Sequence, residues 1–336
     1  MFIGVIAPRL QTLAEGGLSH QASPHPDTTM NRSLALPAIA LSAVAVAAIP
    51  AMAQQVQGRN DRVFTTSAPV SSGGDVRIFA GSGDITITEG SGSNVEFRAE
   101  KDDRRGRIDD AGFIVLRGSD GVTICAVYDE DDECDTDGLR SHSRSGWNRG
   151  RRDRVKLTMT VTVPRGTRLR TSSGNGDVSV SARVAEARVS SGNGRVKVSK
   201  VAGRVDVSSG NGEVSVDDVG GSVSARSGNG DVTIGTINGP VNASSGNGDV
   251  RVSMDRLTGN DDMEFSSGNG RIEVVVPSDF SAEVEAHSGN GRISTDFPIT
   301  IQGKLTPSRL RGTIGNGGRR LRMSTGNGSM EIRKKA

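Results

Sequence analysis

Through the second half of the chain, apolar residues alternate with polar ones in short runs, and the runs recur at a fixed interval. Between Arg195 and Gly212, Val196 and Val198 alternate with polar neighbours, a turn follows at Val201-Ala202-Gly203, and Val205 and Val207 alternate again. The next units repeat this at Val214, Val216, Val223 and Ala225, then at Val232, Ile234, Val241 and Ala243. Period-two alternation predicts strands with one buried and one solvated face. Each unit therefore reads as two short strands.

The units are punctuated by Gly-Asn-Gly. Five copies, Gly174-Asn175-Gly176, Gly192-Asn193-Gly194, Gly210-Asn211-Gly212, Gly228-Asn229-Gly230 and Gly246-Asn247-Gly248, each begin 18 residues after the last, and further copies begin at Gly268, Gly289, Gly315 and Gly326 with wider gaps. One unit cannot bury its own valines, but stacking places equivalent positions about 4.8 Å apart and makes a continuous core. The expected fold is all-β, a single-domain parallel β-solenoid of 18-residue coils with two short strands per coil. The turn glycines are expected to carry positive φ at each corner, and the asparagines to stack as a ladder. Asn-Gly is also a favoured hairpin turn, so a meander of hairpins is the alternative; the fixed spacing favours the solenoid.

Departures from the rhythm set the expected boundaries. Gly73-Gly74-Asp75-Val76 and Gly81-Ser82-Gly83-Asp84-Ile85 echo the turn, so 54–99 reads as irregular N-terminal coils. Residues 100–154 are acidic from Asp129 to Asp137 and basic from Arg140 to Arg154, the composition of a charged surface loop. Residues 155–336 carry the repeats and a C-terminal cap, whose tail Arg333-Lys334-Lys335 is expected to blunt the open end of the stack. Upstream, Asn31-Arg32, an apolar stretch from Leu34 to Ile49 and Pro50-Ala51-Met52-Ala53 give 30–53 the form of a secretory signal cleaved after Ala53. No stable membrane span is expected after cleavage. Residues 1–29 read as an upstream extension before a start at Met30. The product is expected to be periplasmic or extracellular, including the cell surface.

Composition narrows the function. With 45 glycines and 3% aromatics, the core must be thin and aliphatic. The 41 basic and 39 acidic residues are interleaved to a net charge of +2, which implies no general attraction for nucleic acid. Cys125 and Cys134 are disulfide candidates in an oxidising compartment. Two cysteines with only His142 nearby fall short of a zinc set, and the acidic run lacks EF-hand spacing, so neither metal nor cofactor is expected. His20, His25, His142 and His287 are scattered, with no Ser-His-Asp arrangement, phosphate loop or zinc signature, so no catalytic residues emerge and the chain is not expected to be an enzyme. No Trp or Tyr follows Trp147, which disfavours sugar stacking on aromatic platforms.

The repeated Ser-Gly-Asn-Gly-Asp-Val turns (Ser173 to Val178, Ser245 to Val250), the segment Ile124-Cys125-Ala126-Val127-Tyr128 before a polar insert, and the closing Gly312-Thr313-Ile314-Gly315-Asn316-Gly317-Gly318 and Ser324-Thr325-Gly326-Asn327-Gly328 carry a resemblance. Over roughly Val63 to Arg333 the chain resembles the bacterial DUF4097 family, labelled "putative adhesin" and related to GIN-type head domains. The resemblance implies a β-solenoid outside the cytoplasm and supplies no catalytic residues. The expected role is a non-catalytic structural or adhesin-like envelope component; the alternative is an extracytoplasmic glycan-binding or glycan-processing β-helix. Expected partners are a second copy, end to end or laterally, or cell-envelope glycans.

Overall fold

A computed structural model describes residues 54–129, 132–140, 155–303 and 306–335. The expected upstream extension, the secretory signal and the arginine-rich segment with His142 and Trp147 lie outside the described residues.

The valine alternation does what stacking requires. In one coil Glu186–Asn193 lies in a first sheet, the chain turns at the corner, and Val196–Val201 lies in a second. The next coil returns through Val205–Ser209 and Val214–Val219, pairing parallel and in register: Val189 beside Val207, Val198 beside Val216. Repetition builds a 13-stranded and a 12-stranded sheet with one aliphatic core between them. Successive units pair parallel, which rules out the hairpin meander.

Two local expectations need correction. Val201, 2% exposed, belongs to the core rather than to a turn, as do its buried equivalents Val219 and Ile237. The residue before each, Lys200, Asp218 and Thr236, adopts a left-handed φ of 67°, 53° and 50°. This reverses the alternation, so each strand directs three apolar side chains inward. The turn glycines, conversely, are not mainly conformational devices: among the five regular turns Gly176 alone has a φ in the left-handed half, at 155°. Close approach explains them. A Cβ on Gly192 would lie 2.4 Å from the Gly174 carbonyl oxygen, and one on Gly212 would lie 2.1 Å from that of Gly194.

The ends depart from chain order. At the N-terminal end, the layer formed by Gly121–Val127 and Lys156–Val163 lies outside Asp75–Ala80 and Asp84–Glu89, although it follows them in sequence. At the other end Arg320–Asn327 and Met330–Lys334 insert between the layer of Met263–Asn269 and Ile272–Val276 and that of Ala282–Asn290 and Ile293–Thr295. The tail expected to blunt the open end therefore belongs to an inner layer. Antiparallel strands close both ends: Val63–Pro69, Asn94–Asp102 and Gly112–Arg117 at one, Ile299–Ile301 and Arg309–Ile314 at the other.

Aromatic rings fill the irregular end cross-sections. Phe64 stacks on Phe113 at 4.8 Å, Phe97 meets Phe113 edge-on at 5.5 Å, and Phe280 meets Phe297 at 6.1 Å. Beside the first cluster Lys101 is 2% exposed, its Nζ donating to the carbonyls of Gly58, Arg59, Ile108 and Ala111 at 2.6 to 2.9 Å. Desolvation lowers its pKa from 10.5 to about 8. The stretch 100–154, read as a charged loop, contains the strands Gly112–Arg117 and Gly121–Val127. Their apolar runs, Phe113 to Leu116 and Val122 to Val127, earn a place in the sheet that the flanking charges obscure.

Candidate ligand-binding face

Stacking first creates a corner. The five repeat asparagines Asn175, Asn193, Asn211, Asn229 and Asn247 form a continuous ladder, each Nδ2 donating to the preceding Oδ1 at 2.7 to 2.8 Å, and Asn269, Asn327 and Asn290 extend it. A second ladder lies just inside. Ser191, Ser209, Ser227 and Ser245 donate Oγ–H to the carbonyls of Gly176, Gly194, Gly212 and Gly230 at 2.7 to 2.8 Å. The serine ladder escaped the sequence reading, although the invariant spacing of each serine from its Gly-Asn-Gly is its signal. After each corner, Asp177 accepts from the Arg195 amide at 2.7 Å and Asp231 from that of Asp249 at 2.9 Å, so this charged column locks register between coils.

Polar positions of the 13-stranded sheet form in-register columns on its outer face. Arg77, Arg170 and Arg188 are direct neighbours on successive strands, as are Ser172, Ser190 and Ser208. Like charges about 4.8 Å apart repel, and two of the three arginines are neutralised. Arg77 pairs with Asp75 at 2.6 Å and Asp120 at 2.9 Å, and Arg188 with Asp206 at 3.2 Å. The hydrogen bond from Arg77 holds the Asp120 carboxyl below the usual carboxylate range. Asp75 also takes Arg168, at 2.7 Å.

Arg170 is held differently. Its ion pair among the described residues, with Asp137, is long at 3.8 Å, and its guanidinium lies over the Phe79 ring at 5.6 Å. Arg204, exposed at the coil turn, has no ion pair among the described residues. Two adjoining depressions of about 350 and 420 Å³ share Arg170, Arg188 and Asp206; Arg168 and Arg204 line the first, Ser172, Ser190 and Ser208 the second.

The wall of the second depression is built by the cysteine pair. Cys125 and Cys134 are disulfide-bonded, with Cα atoms 6.0 Å apart, and pack with Phe79, Ile114 and Val127 on the outside of the sheet. The bond anchors the small hairpin Glu133–Cys134 and Leu139–Arg140. At its tip Asp135 accepts from the Asp137 and Gly138 amides at 2.8 and 2.9 Å, bonds that hold its carboxyl low. Asp137, Gly138 and Leu139 thereby stand beside Arg170. The Gly-Asn-Gly corner and this disulfide wall are separate features of the coil.

Elsewhere the candidate chemistry stays dispersed. His287 is exposed on a strand between Ser324 and Arg309. Asp132 caps a turn, accepting from the amides of Tyr128 and Asp129 at 2.9 and 3.0 Å. Among the described residues no three His, Cys, Asp or Glu side chains gather as a metal site, and no helix is long and apolar enough to cross a membrane.

These features define a class: an all-β parallel solenoid with a polar ladder at one corner and a charged, shallow groove on one sheet. The Toastrack DUF4097 family model matches residues 135–333, and the chain belongs to that family. Its solved structural neighbours include a "putative adhesin" from Bacteroides fragilis, 14% identical, covering 82% of this chain and 98% of that one at a TM-score of 0.44. A "putative lipid binding protein" from Parabacteroides distasonis is 14% identical with the same coverages and a TM-score of 0.41. No curated protein matches the sequence.

Proposed function

We propose that the protein is an exported, non-catalytic, adhesin-like component of the cell envelope that holds its ligand on the outer face of the 13-stranded sheet. The carrying observation is the groove at Arg170, where an arginine held only by a long 3.8 Å ion pair sits between stacked polar columns and a disulfide-anchored wall. A rigid stack suits this task, because every coil holds its neighbours in register and the groove needs no closure to form. Export is supported by the disulfide and by the leader-like 30–53.

The test is to block one face at a time. Residues 54–336 carrying Ser208→Cys or, on the other sheet, Ser215→Cys are coupled to a polyethylene glycol maleimide and assayed for retention on isolated bacterial envelopes. Loss of retention only with the label at 208 is expected. Equal loss at both positions, or loss only at 215, refutes this placement of the face.

End-to-end self-association is a second reading, favoured by one observation. The edge strands Val63–Pro69 and Ile299–Ile301 carry the two exposed large aliphatic residues among those described, Val63 and Ile301, at opposite ends of the stack. Light scattering across a concentration series tests it: growth abolished by Ile301→Lys supports it, and a constant monomer refutes it.

A further inference from the structure

We infer that the ligand of this face is an acidic polysaccharide whose carboxylates recur on alternate sugars; the inference rests on the proposed binding face and names what it takes. The near-zero net charge of the chain conceals a local arrangement. Arg77, Arg170 and Arg188 stand in one register column with carboxylates on Arg77 and Arg188; the loosely held cations of the face are Arg170, Arg204 in the neighbouring column of Arg168 and Glu186, and Arg226, 3.8 Å from Asp206 and next to Ser208 in the serine column.

Their placement sets the spacing. Arg170 lies on Arg168–Asn175, and Arg204 directly precedes Val205–Ser209, two strands further along the stack through Glu186–Asn193. Two strand steps amount to about 10 Å along the stack axis, and the two-residue offset between the columns of Arg170 and Arg204 adds about 7 Å across it, so these two cations lie about 12 Å apart on a diagonal of the face. A sugar chain laid along that diagonal, advancing about one residue per coil, would bring the carboxylate of every second sugar to a cation. The intervening sugar crosses the middle strand beside Glu186 and Arg188, where a further carboxylate would meet Glu186, while Ser172, Ser190 and Ser208 flank the Arg170 side of the path with hydroxyls that can both donate to and accept from sugar hydroxyls.

The acidic residues on the same face sharpen the choice. Asp75, Asp206 and Glu186 line the first depression, and Asp137 the second. They repel a polymer charged at every unit, which disfavours nucleic acid and fully sulfated or uronate chains. Nucleic acid also lacks a stacking platform here, because Phe79 is 3% exposed beneath Arg170. A membrane would need protruding apolar side chains, and the exposed large ones among the described residues, Val63 and Ile301, both lie on strands at the ends of the stack, away from the groove.

Affinity electrophoresis of residues 54–336 tests the proposal, using hyaluronate as the alternating polymer, polygalacturonate as the fully charged one and dextran as the neutral one. A 30-mer DNA and vesicles with 30% anionic phospholipid complete the probes. Retardation is expected with hyaluronate, weaker with polygalacturonate and absent with dextran. It should fall at least tenfold in Arg170→Gln/Arg204→Gln and diminish with added salt, while Arg251→Gln on the other sheet has no effect. Equal binding of dextran, tightest binding of DNA or vesicles, or an unaffected double variant overturns the proposal. If hyaluronate fails but the label at position 208 still abolishes envelope retention, the ligand class is wrong and the face stands. If that label has no effect either, both fall.

Discussion

Asn327 follows Asn269 by 58 residues in the chain yet adjoins it in the stack, its Nδ2 2.7 Å from the Asn269 Oδ1. Asn290, which precedes Asn327, lies beyond it and donates to its Oδ1 at 2.8 Å. The last coil is thus an inner layer held on both sides. Cysteines at 269 and 327 should form a disulfide on mild oxidation, whereas cysteines at 269 and 290 should not, since a layer separates them. Non-reducing electrophoresis reads both. Deleting 320–336 should remove the support of Ala282–Asn290 and abolish cooperative unfolding, a far larger effect than trimming a surface tail.

The two ladders should differ in energetic weight. Ser227 is 6% exposed and donates to the Gly212 carbonyl at 2.8 Å. Its replacement by Ala should cost about 1 kcal/mol in urea unfolding. Asn211 makes two ladder bonds at 2.7 Å, both exposed to competing water, so Asn211→Ala should cost no more than the serine despite losing twice as many bonds.

The left-handed residue in each strand offers a stabilising change. Thr236, with a branched Cβ at φ 50°, is the least suited of the three, and Thr236→Gly should raise stability by roughly 0.5 to 1 kcal/mol. Thr233→Gly, at an ordinary extended position of the same strand, should lower it by a similar amount. Thermal unfolding of the two variants settles the sign.

Lys101 makes the N-terminal end sensitive to a single substitution. Lys101→Met would leave the buried Ala111 carbonyl and the half-buried carbonyls of Gly58, Arg59 and Ile108 without their donor and should cost about 3 kcal/mol. Because the folded pKa is lowered from 10.5 to about 8, the unfolded chain binds a proton in that interval that the folded chain has lost. The stability difference between wild type and Lys101→Met should therefore grow as pH rises from about 8 to about 10.5. A flat difference across that range would show that the ammonium stays protonated in its carbonyl cage.

The disulfide should matter twice. It closes a short loop, with a sequence separation of 9, so Cys125→Ser/Cys134→Ser should lose about 2 to 3 kcal/mol. The same variant frees the hairpin that walls the groove, so ligand affinity should fall even under conditions where the stack stays folded.

The interior of this fold is legible because the repeat is strict: Val196, Val198, Val205 and Val207 announce two strands, and the 18-residue interval announces their stacking. The ends are not, because an interval cannot say which layer a terminal coil will adjoin. Arg320–Asn327 satisfies the same pattern beside Met263–Asn269 as it would at the end of the stack, and the choice rests on the antiparallel closure by Arg309–Ile314. The binding face was hidden for a related reason. Arg170 and Arg188 stand one repeat apart, but Arg77 is far from both in the chain and joins their column only because Asp75–Ala80 pairs directly with Arg168–Asn175. The left-handed Lys200 and Thr236 carry no composition signal, and Asp218 only a weak one, since aspartate visits that conformation more readily than either but does not select it as glycine does.

The most direct measurement is arginine-selective labelling with phenylglyoxal, read by mass spectrometry, with and without saturating hyaluronate. Arg170 and Arg204 should be protected by the polysaccharide, with partial protection of Arg188, while Arg251 and Arg333 on the 12-stranded sheet keep their free reactivity. Uniform protection across both sheets, or protection confined to Arg251 and Arg333, would contradict a binding face built on the 13-stranded sheet.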